Sequence, residues 1–452
     1  MKHYDVIVIG SGIGGLAAAA ILTQRGKKVL LLEKNKLYGG RLSSYQRDGF
    51  VVDVGVHVIS TTNKGPLAKA LAMAGIENDL EFTSVRPVSS FQGKRFLFPK
   101  DLKNYIPEED YQAVLRFVED CRTCPEEASN KYDEMSVRDL LRQYTQNKFA
   151  DACVGRVASI YFCSPIWACS AGEFIRCFRR EAEARASGYP QGGCGAITRK
   201  FLDGIRAQGG EIRNLTPVKE ILVQNGRAVG VRLENEDIYA DMIVSNADIK
   251  ETVALAGADS FPPDYLQYVE DLKYSWSGCV LRIGLDAEIT DIKMMSQIGA
   301  TDMDEYASKL YDGSLPEELN LFIVVPSNFS DTVAPKGRQI VNAATSVPTD
   351  LPAESVERLR GLMLETLERY VPGVQEHASW IEYSGVPYFR QLGGENGAHI
   401  GIGQAPGQTG RLRPSSKLPV EGLYCVGGAA GGSGVGIELC LNSAIDFIEA
   451  YC

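Results

Sequence analysis

The pattern of apolar and polar positions is clearest near the start of the chain. An apolar run at residues 6–9 ends at a glycine and predicts a buried strand. Small and apolar residues at 17–22 predict a helix that presents small side chains to a sheet. Val29–Leu32 predicts a second buried strand, and this one ends at Glu33. The order strand, turn, helix, strand is typical of a parallel α/β sheet.

Three glycines join the first strand to the helix as G-x-G-x-x-G: Gly10, Gly12 and Gly15. Gly10 permits a tight turn, Gly12 lets the backbone approach a pyrophosphate, and Gly15 lets the helix pack against the strand. The amide groups and dipole at the helix N terminus favour the negative charge of phosphate. Glu33 lies where an acid accepts hydrogen bonds from an adenosine ribose, which argues against a 2′-phosphate there. Because the whole pattern matches, a dinucleotide site is favoured over an ordinary glycine loop.

The segment after Glu33 reads K-N-K-L-Y-G-G-R-L-S-S, with a second glycine pair, Gly39 and Gly40, before Arg41. Here the chain resembles the flavin-dependent amine oxidase and phytoene desaturase superfamily. The resemblance implies that the dinucleotide is FAD, with Gly40 and Arg41 near its pyrophosphate and flavin. Taken alone, a plain turn at Gly39-Gly40 and a surface cation at Arg41 would be as favoured as the cofactor role; their place after Glu33 favours the cofactor role.

The resemblance extends to later stretches of the chain. It implies backbone contact with the flavin ring near Gly55, contact with adenine near Val218, and a position beside the first glycine turn for residues 245–247. The cofactor-binding residues implied in this way are Gly10, Gly12, Ile13, Gly14, Gly15, Glu33, Lys34, Gly40, Arg41, Leu42, Gly55, Val56, His57, Val218, Asn246, Gly427, Gly428, Gly436 and Ile437.

A glycine-rich stretch near the end of the chain leads from a strand at 423–426 to Gly436 and Ile437, which open the last helix. The family has such a helix here, and its N terminus, pointed at the flavin, would stabilise negative charge on the reduced ring. The chain departs from the pattern at Gly428, where many relatives carry an Asp that contacts the ribityl chain or phosphate. Backbone amides would then bind the cofactor instead.

Residues 218–223 and 228–233 predict a hairpin around Asn225-Gly226 in the cofactor domain. Residues between the cofactor stretches predict a second domain, with three strands between 280 and 344 and an amphipathic helix at 353–370. We expect an α/β (α+β two-domain) fold, with a Rossmann-like FAD/NAD(P)-binding domain and a mixed-sheet substrate domain with a helical lid. The predicted domains are residues 1–85, 189–257 and 388–452 for the first, and residues 86–188 and 258–387 for the second.

The stretch at residues 160–178, I-Y-F-C-S-P-I-W-A-C-S-A-G-E-F-I-R-C-F, is rich in apolar and aromatic side chains. It is equally typical of a lid or tunnel wall over an apolar substrate and of a buried helix pair without substrate contact.

Composition narrows the classes of protein. The 452 residues carry a net charge of −10 with a pI of about 5.2, which argues against a nucleic-acid partner. No segment has the length and apolarity of a membrane span, and the first strand begins almost at Met1, so we expect a cytoplasmic protein. Eleven cysteines include one C-x-x-C, at Cys121 and Cys124, without a second at zinc spacing. Reduced buried cysteines are favoured over an iron–sulfur site, and with four histidines no metal is expected.

Flavin chemistry needs few titratable residues, because the flavin exchanges a hydride at N5 and the protein need only position a C–H bond and exclude water. His57 is the one histidine near an expected flavin contact. It would act as a catalytic acid or base, orient the flavin, or simply pack against it. Tyr388 and Arg390 would line the pocket or, as the favoured alternative, form a structural strand end.

The leading hypothesis is an FAD-dependent oxidoreductase that acts on carbon–carbon bonds of an apolar polyene or isoprenoid, as a desaturase, saturase or isomerase. One alternative is a flavin amine oxidase or a reductase of another unsaturated small molecule, and another is a non-catalytic flavin-binding protein. An apolar substrate permits peripheral membrane contact through residues 174–185, although a solvated helix face is favoured there. The sequence identifies neither the electron donor or acceptor nor the oligomeric state.

Overall fold

Short apolar runs separated by turn residues give the strands of this chain. The computed structural model describes residues 3–393 and 397–452. The strands are β1 His3–Ile9, β2 Val29–Leu32, β3 Ser44–Arg47, β4 Phe50–Asp53, β5 Phe82–Ser84, β6 Val88–Phe91, β7 Lys94–Phe96, β8 Gly188–Pro190, β9 Glu211–Arg213, β10 Glu220–Gln224, β11 Arg227–Arg232, β12 Asp237–Ser245, β13 Ser277–Leu285, β14 Met294–Ile298, β15 Phe322–Val324, β16 Gln339–Val347, β17 Ala378–Ser384 and β18 Leu423–Cys425.

The α-helices occupy the segments between these strands, and those between β7 and β8 form a separate helical layer. They are α1 Ile13–Gln24, α2 Pro66–Met73, α3 Glu108–Thr123, α4 Glu126–Ser129, α5 Val137–Leu141, α6 Lys148–Phe162, α7 Ala171–Ala184, α8 Gly195–Ala207, α9 Ile249–Ala256, α10 Pro263–Asp271, α11 Met303–Tyr311, α12 Ser355–Tyr370, α13 Val386–Gly393 and α14 Ile437–Tyr451.

The first sheet has seven strands in the order β10-β11-β12-β1-β2-β9, with β18 added beside β12. β1 is parallel to β2 and β12, and the ends of the three strands lie side by side, with Ile9 paired to Leu32 and Ser245. The residues that follow these ends therefore emerge together at one edge of the sheet, where ligands bind in open α/β folds.

Helices cover both faces of this sheet. α1 is buried all round, and its alanines from 17 to 20 are fully inaccessible, so that α14 and α8 pack closely against it. Small side chains allow this because they let helix axes approach one another and the sheet. α9 and α10 contribute to the core on the opposite face. α1 is thus the central support of the glycine turn that precedes it.

The second sheet also has seven strands, in the order β17-β13-β16-β15-β14-β6-β7, and all its pairs are antiparallel except β14 with β6. α11 and α12 contribute to its hydrophobic core. Arg282 of β13, which is fully buried, donates from Nε to the carbonyl oxygen of Asp53 at 2.7 Å and from Nη1 to Ser384 Oγ at 2.8 Å. This side chain ties the second sheet to the hairpin β3–β4.

The two mixed sheets with surrounding helices confirm the predicted α/β class. The strands of the first sheet fall within the residues predicted for the cofactor domain, and those of the second within the residues predicted for the substrate domain. The exact domain boundaries stay a prediction.

Two local expectations were wrong. β10 begins at Glu220, so Val218 precedes the hairpin strand instead of opening it, because β11 ends at Arg232, the partner of Glu220. Tyr388 and Arg390 belong to a helix, α13, and not to a strand end. A proline in the first turn of that helix is compatible with helical geometry, which is why Pro387 did not exclude it.

Candidate functional site

A cavity of about 550 Å³, here called the main cavity, extends from the edge of the first sheet to helices α6 and α7. Its size falls within the range of small-molecule and cofactor sites in proteins. Gly12 and Glu33 line one part of it, and Val157 and Phe178 line another. The site is therefore shared between the first sheet and the helical layer.

Most residues that the sequence assigned to the cofactor line this cavity. They are Gly10, Gly12, Ile13, Glu33, Lys34, Gly40, Arg41, Leu42, Val56, His57, Val218, Asn246, Gly428, Gly436 and Ile437. The remaining four, Gly14, Gly15, Gly55 and Gly427, pack behind its wall. Contact between these residues and a cofactor stays a prediction. The structure nevertheless brings residues 10–42, 55–57, 218–246 and 427–437 to one cavity.

The glycines of the first turn are required by close packing. A Cβ at Gly14 would lie 2.7 Å from the Cα of Gly427, and a Cβ at Gly15 would meet the carbonyl oxygen of Gly10. The amide of Gly15 donates to Asn246 Oδ1 at 3.0 Å, which fixes the predicted contact between the two segments. The N-cap residue of α1, Gly12, supplies no side-chain cap, and the first turn carries no acid. A helix N terminus that lines the cavity and carries no acid of its own fits a pyrophosphate.

Glu33 is held by both flanking segments. Its Oε2 accepts from Ser11 N at 2.9 Å and Ser11 Oγ at 2.6 Å, and its Oε1 accepts from Asn35 N at 2.8 Å and Asn35 Nδ2 at 3.0 Å. The amide of Gly39 donates to Ser11 Oγ at 3.2 Å, so the two glycine segments are joined through Ser11. A carboxylate has about four acceptor positions, so a ribose hydroxyl would share or displace the Asn35 side chain.

Two histidines, His57 and His399, and Arg41 line the main cavity and lie close together. His57 Nε2 donates to the carbonyl oxygen of Arg41 at 3.0 Å, and Arg41 Nη1 donates to the carbonyl oxygens of Ala398 and His399. Burial lowers the pKa of His57, and burial together with the charge of Arg41 lowers the pKa of His399 to about 3. Both rings are therefore neutral at pH 7. His399 was not predicted, although the run H-I-G-I-G at 399–403 was a local signal.

The last helix also presents an uncapped N terminus to the cavity at Gly436. The glycine-rich loop before it is fixed by Glu173 of α7, whose Oε1 accepts from Ser433 Oγ at 2.8 Å and Gly434 N at 2.7 Å. Arg413 Nη2 donates to the carbonyl oxygen of Gly428 at 2.7 Å. A Cβ at Gly428 would lie 2.9 Å from the carbonyl oxygen of Ile400, which explains why glycine occupies this position instead of Asp.

Apolar side chains from the helical layer, the second sheet and the loop after β7 also line the main cavity. We call these side chains the apolar wall: Phe98, Val157, Ile160, Phe178, Met294 and Phe322. Ile160 and Phe178 come from the stretch predicted as either a tunnel wall or a buried helix pair. Phe174 of the same stretch lies in a hydrophobic core, so each interpretation holds for part of it.

The structure gives no support to a metal or disulfide. Within residues 3–393 and 397–452, no group of three or more His, Cys, Asp or Glu side chains could hold a metal ion. All eleven cysteines are free, and burial raises the pKa of the Cys121 thiol, so this C-x-x-C has no activated thiol at that position. In the same described part, no helix is long and apolar enough to cross a membrane.

Comparison with known proteins gives the family. Residues 13–446 match the model of the flavin containing amine oxidoreductases. Prolycopene isomerase of Daucus carota is 26% identical over 488 aligned positions, covering 94% of this chain and 76% of the relative. A zeta-carotene-forming phytoene desaturase of Myxococcus xanthus is 23% identical over 97% of this chain and 92% of the relative. An oxidoreductase from Methanosarcina mazei has the same fold, with a TM-score of 0.78, 20% identity, and coverage of 99% and 100%. The chain belongs to the flavin containing amine oxidoreductase family and is an FAD-dependent oxidoreductase.

Proposed function

We propose that this enzyme exchanges a hydride at carbon–carbon bonds of an apolar polyene or isoprenoid, as a desaturase, saturase or isomerase. The observation that carries the proposal is the main cavity, in which the glycine segments and the apolar wall belong to one space. The names of the relatives support it, since one is a prolycopene isomerase and another a phytoene desaturase.

FAD, when bound, supplies a hydride acceptor or donor at its N5 atom. The chain's own contribution is binding and exclusion of water. Side chains such as Val157, Phe178 and Phe322 bury an apolar substrate through the hydrophobic effect, at about 25 cal/mol per Å² of apolar surface removed from water. They offer no hydrogen bonds of their own, so they select for hydrocarbon over polar molecules.

His57 is proposed as the orienting or catalytic side chain nearest this chemistry. Its Nε2 proton is held by the Arg41 carbonyl, which leaves Nδ1 as the acceptor in a neutral ring. His57→Asn keeps a polar group but removes the ring. A catalytic role predicts a fall in kcat with flavin content unchanged, whereas a packing role predicts loss of bound flavin.

A cationic amine fits the main cavity less well. Arg41 and Arg156 both line it, and like charges repel an ammonium group. The amine oxidase alternative therefore requires a counter-charge. Of the five carboxylates that line the cavity, Glu181 and Glu438 already accept from Tyr161 and Thr61, and Glu33 already accepts from Ser11 and Asn35; the other two are Asp248 and Glu251.

Purified holoenzyme distinguishes these alternatives. Oxidised and reduced enzyme would be mixed anaerobically with phytoene, a cis-lycopene, retinol or putrescine, while flavin absorbance is followed by stopped flow and products by chromatography. We expect a polyene to change the flavin spectrum or to be isomerised, and putrescine to do neither. Reduction of the flavin by putrescine, with no reaction of any polyene, would contradict the proposal.

The cytoplasmic location and peripheral membrane contact are also proposals. The partition of polyenes into lipid supports the second of them. Residues 174–185 are poorly suited to binding a membrane. Phe174 is buried, Phe178 lines the main cavity, and Arg179 and Arg180 pair with Glu126 at 2.7 Å and 2.5 Å. Co-flotation with vesicles, and its loss at high salt, would test contact through another surface. Binding of nucleic acid is not expected.

A further inference from the structure

The guanidinium of Arg156 is buried at the main cavity. Arg156 belongs to α6, is 5% exposed, and lines both the main cavity and a second cavity of about 30 Å³, here called the small cavity. Its Nε and Nη2 atoms reach no acceptor among the residues that the structure describes. A buried charge without a partner is strongly unfavourable, so such a group indicates a ligand or ion that completes it.

The other deeply buried arginines show the contrast. Each has an acceptor on the protein: Arg138 on Asp151, Arg176 on Glu173, Arg282 on the carbonyl of Asp53 and Arg413 on the carbonyl of Gly431. The fold therefore satisfies its structural arginines and leaves Arg156 open toward a cavity.

In the described part of the chain, burial, Tyr306 and Cys163 act on the pKa of Arg156, and no carboxylate does. The helix of Arg156 presents Cys153, Val157 and Ile160 to the same cavity. β14 presents Ser296, whose buried hydroxyl also has no partner among the described residues. The charges of Arg41 and Arg156 both act to lower the pKa of the nearby Cys163 thiol, against the rise caused by burial, so two cations face this region. Burial lowers the pKa of Arg156 to about 10, and the group stays charged at pH 7.

We propose that Arg156, assisted by Ser296, binds a carboxylate at one end of an otherwise apolar substrate. The inference rests on the proposed function and narrows its substrate class from polyene hydrocarbons to polyene carboxylates. A guanidinium offers two parallel N–H donors to a carboxylate, and a serine hydroxyl adds a third. The apolar wall then holds the polyene chain, while the charged end fixes which double bond is presented.

The small cavity provides the competing explanation. Its volume of about 30 Å³ is enough for roughly one water molecule, so a water or a chloride ion there could satisfy Arg156. Its lining includes Thr345, whose hydroxyl is also unpartnered in the described structure. In that case Arg156 would have no preference for the acid form of a substrate.

Binding of all-trans-retinoate and of its methyl ester to oxidised holoenzyme tests the proposal, because the two ligands share one polyene. Affinity would be read from flavin difference spectra in buffers with and without chloride. We expect the acid to bind about tenfold to a hundredfold more tightly than the ester, the range expected of a charge-assisted hydrogen bond. Arg156→Met should abolish this preference and leave ester binding unchanged, and Ser296→Ala should reduce it.

Arg142→Met is the matched control, because Arg142 is an exposed cation at the end of the neighbouring helix α5. It should keep the preference of the parent enzyme. Equal binding of acid and ester, or a preference that persists in Arg156→Met with normal flavin content, overturns the inference and leaves the proposed function standing. Failure of both ligands to bind overturns the inference and the proposed polyene substrate together.

Discussion

Glu173→Gln is the change whose effect can be worked out most fully from the structure. Glu173 is 1% exposed and accepts from four donors: Ser433 Oγ, Gly434 N, Arg176 Nε at 2.8 Å and Cys177 Sγ at 3.5 Å. The glutamine side chain has the same shape but only one acceptor oxygen, and its NH₂ group would face another donor. The change therefore leaves at least one buried donor unsatisfied and removes the charge that offsets Arg176.

The expected cost is about 3–5 kcal/mol, the usual loss when one partner of a buried ion pair is removed. Asp133, which accepts from Arg176 Nη2 at 2.6 Å, still offsets part of the Arg176 charge in the variant, so we expect a cost near the lower end of this range. Unfolding entropy of about 2.1 cal/mol/K per residue gives roughly 1 kcal/mol per degree for 452 residues. The melting temperature should therefore fall by about 3–5 °C.

The assay is a thermal melt of holoenzyme followed by circular dichroism and by release of flavin fluorescence. Glu183→Gln is the control, because Glu183 is an exposed residue of the same helix whose weak pair with Arg179 spans 3.8 Å. We expect the control to stay within about 1 °C of the parent, since exposed pairs contribute little. The same melting temperature for both variants would refute the role assigned to Glu173.

The pH dependence follows from the same contacts. Burial alone would raise the pKa of Glu173, but the charge of Arg176 and the hydrogen bond from Ser433 hold it below its usual value. A depressed folded-state pKa gives stability that is present above the unfolded pKa of about 4.3 and is lost as the pH falls through the lower folded value. The difference in melting temperature between Glu173→Gln and the parent should narrow over that acid range.

Three further predictions concern the cofactor site. Gly15→Ala places a Cβ against the Gly10 carbonyl and should yield colourless protein, whereas normal flavin absorbance would contradict the packing argument. Ser11→Ala removes one hydrogen bond to Glu33, so the Kd for FAD, measured by fluorescence titration, should rise about tenfold. Burial lowers the pKa of His57 and His399, so the rate of flavin reduction, measured against pH, should show no histidine inflection between about pH 6.5 and 9. The melting temperature should fall below about pH 6.5, because only the unfolded chain binds protons at these two histidines there.

The elements set by local sequence were the ones that could be predicted. Val29–Leu32 forms a strand with both predicted ends, because its apolar run is bounded by Lys28 and Glu33. The glycine turn and α1 follow from residues within one βαβ unit. Prediction was weaker where the next residues decide between two structures, as at Val386–Gly393, whose short amphipathic pattern was compatible with either a strand end or a helix.

Site residues that depend on distant contacts could not be predicted from the sequence. Glu173 meets the loop before α14 only because α7 packs beneath it, and nothing in its neighbours indicates Ser433 or Gly434. Arg156 resembles an ordinary helix cation in sequence; only the fold places it at a cavity where its Nε and Nη2 atoms find no acceptor among the described residues. Asn35 lies directly beside the predicted acid, yet its bond to Glu33 depends on the turn geometry after β2.

The addition of β18 to the edge of β12 has a consequence for biosynthesis. β18 pairs with β12 and α14 packs against α1, yet both are made long after β1 and α1. At the usual rates of translation the interval is on the order of tens of seconds. During that time the surface of α1 that α14 covers stays exposed, so newly made chains should depend on chaperones until α14 docks.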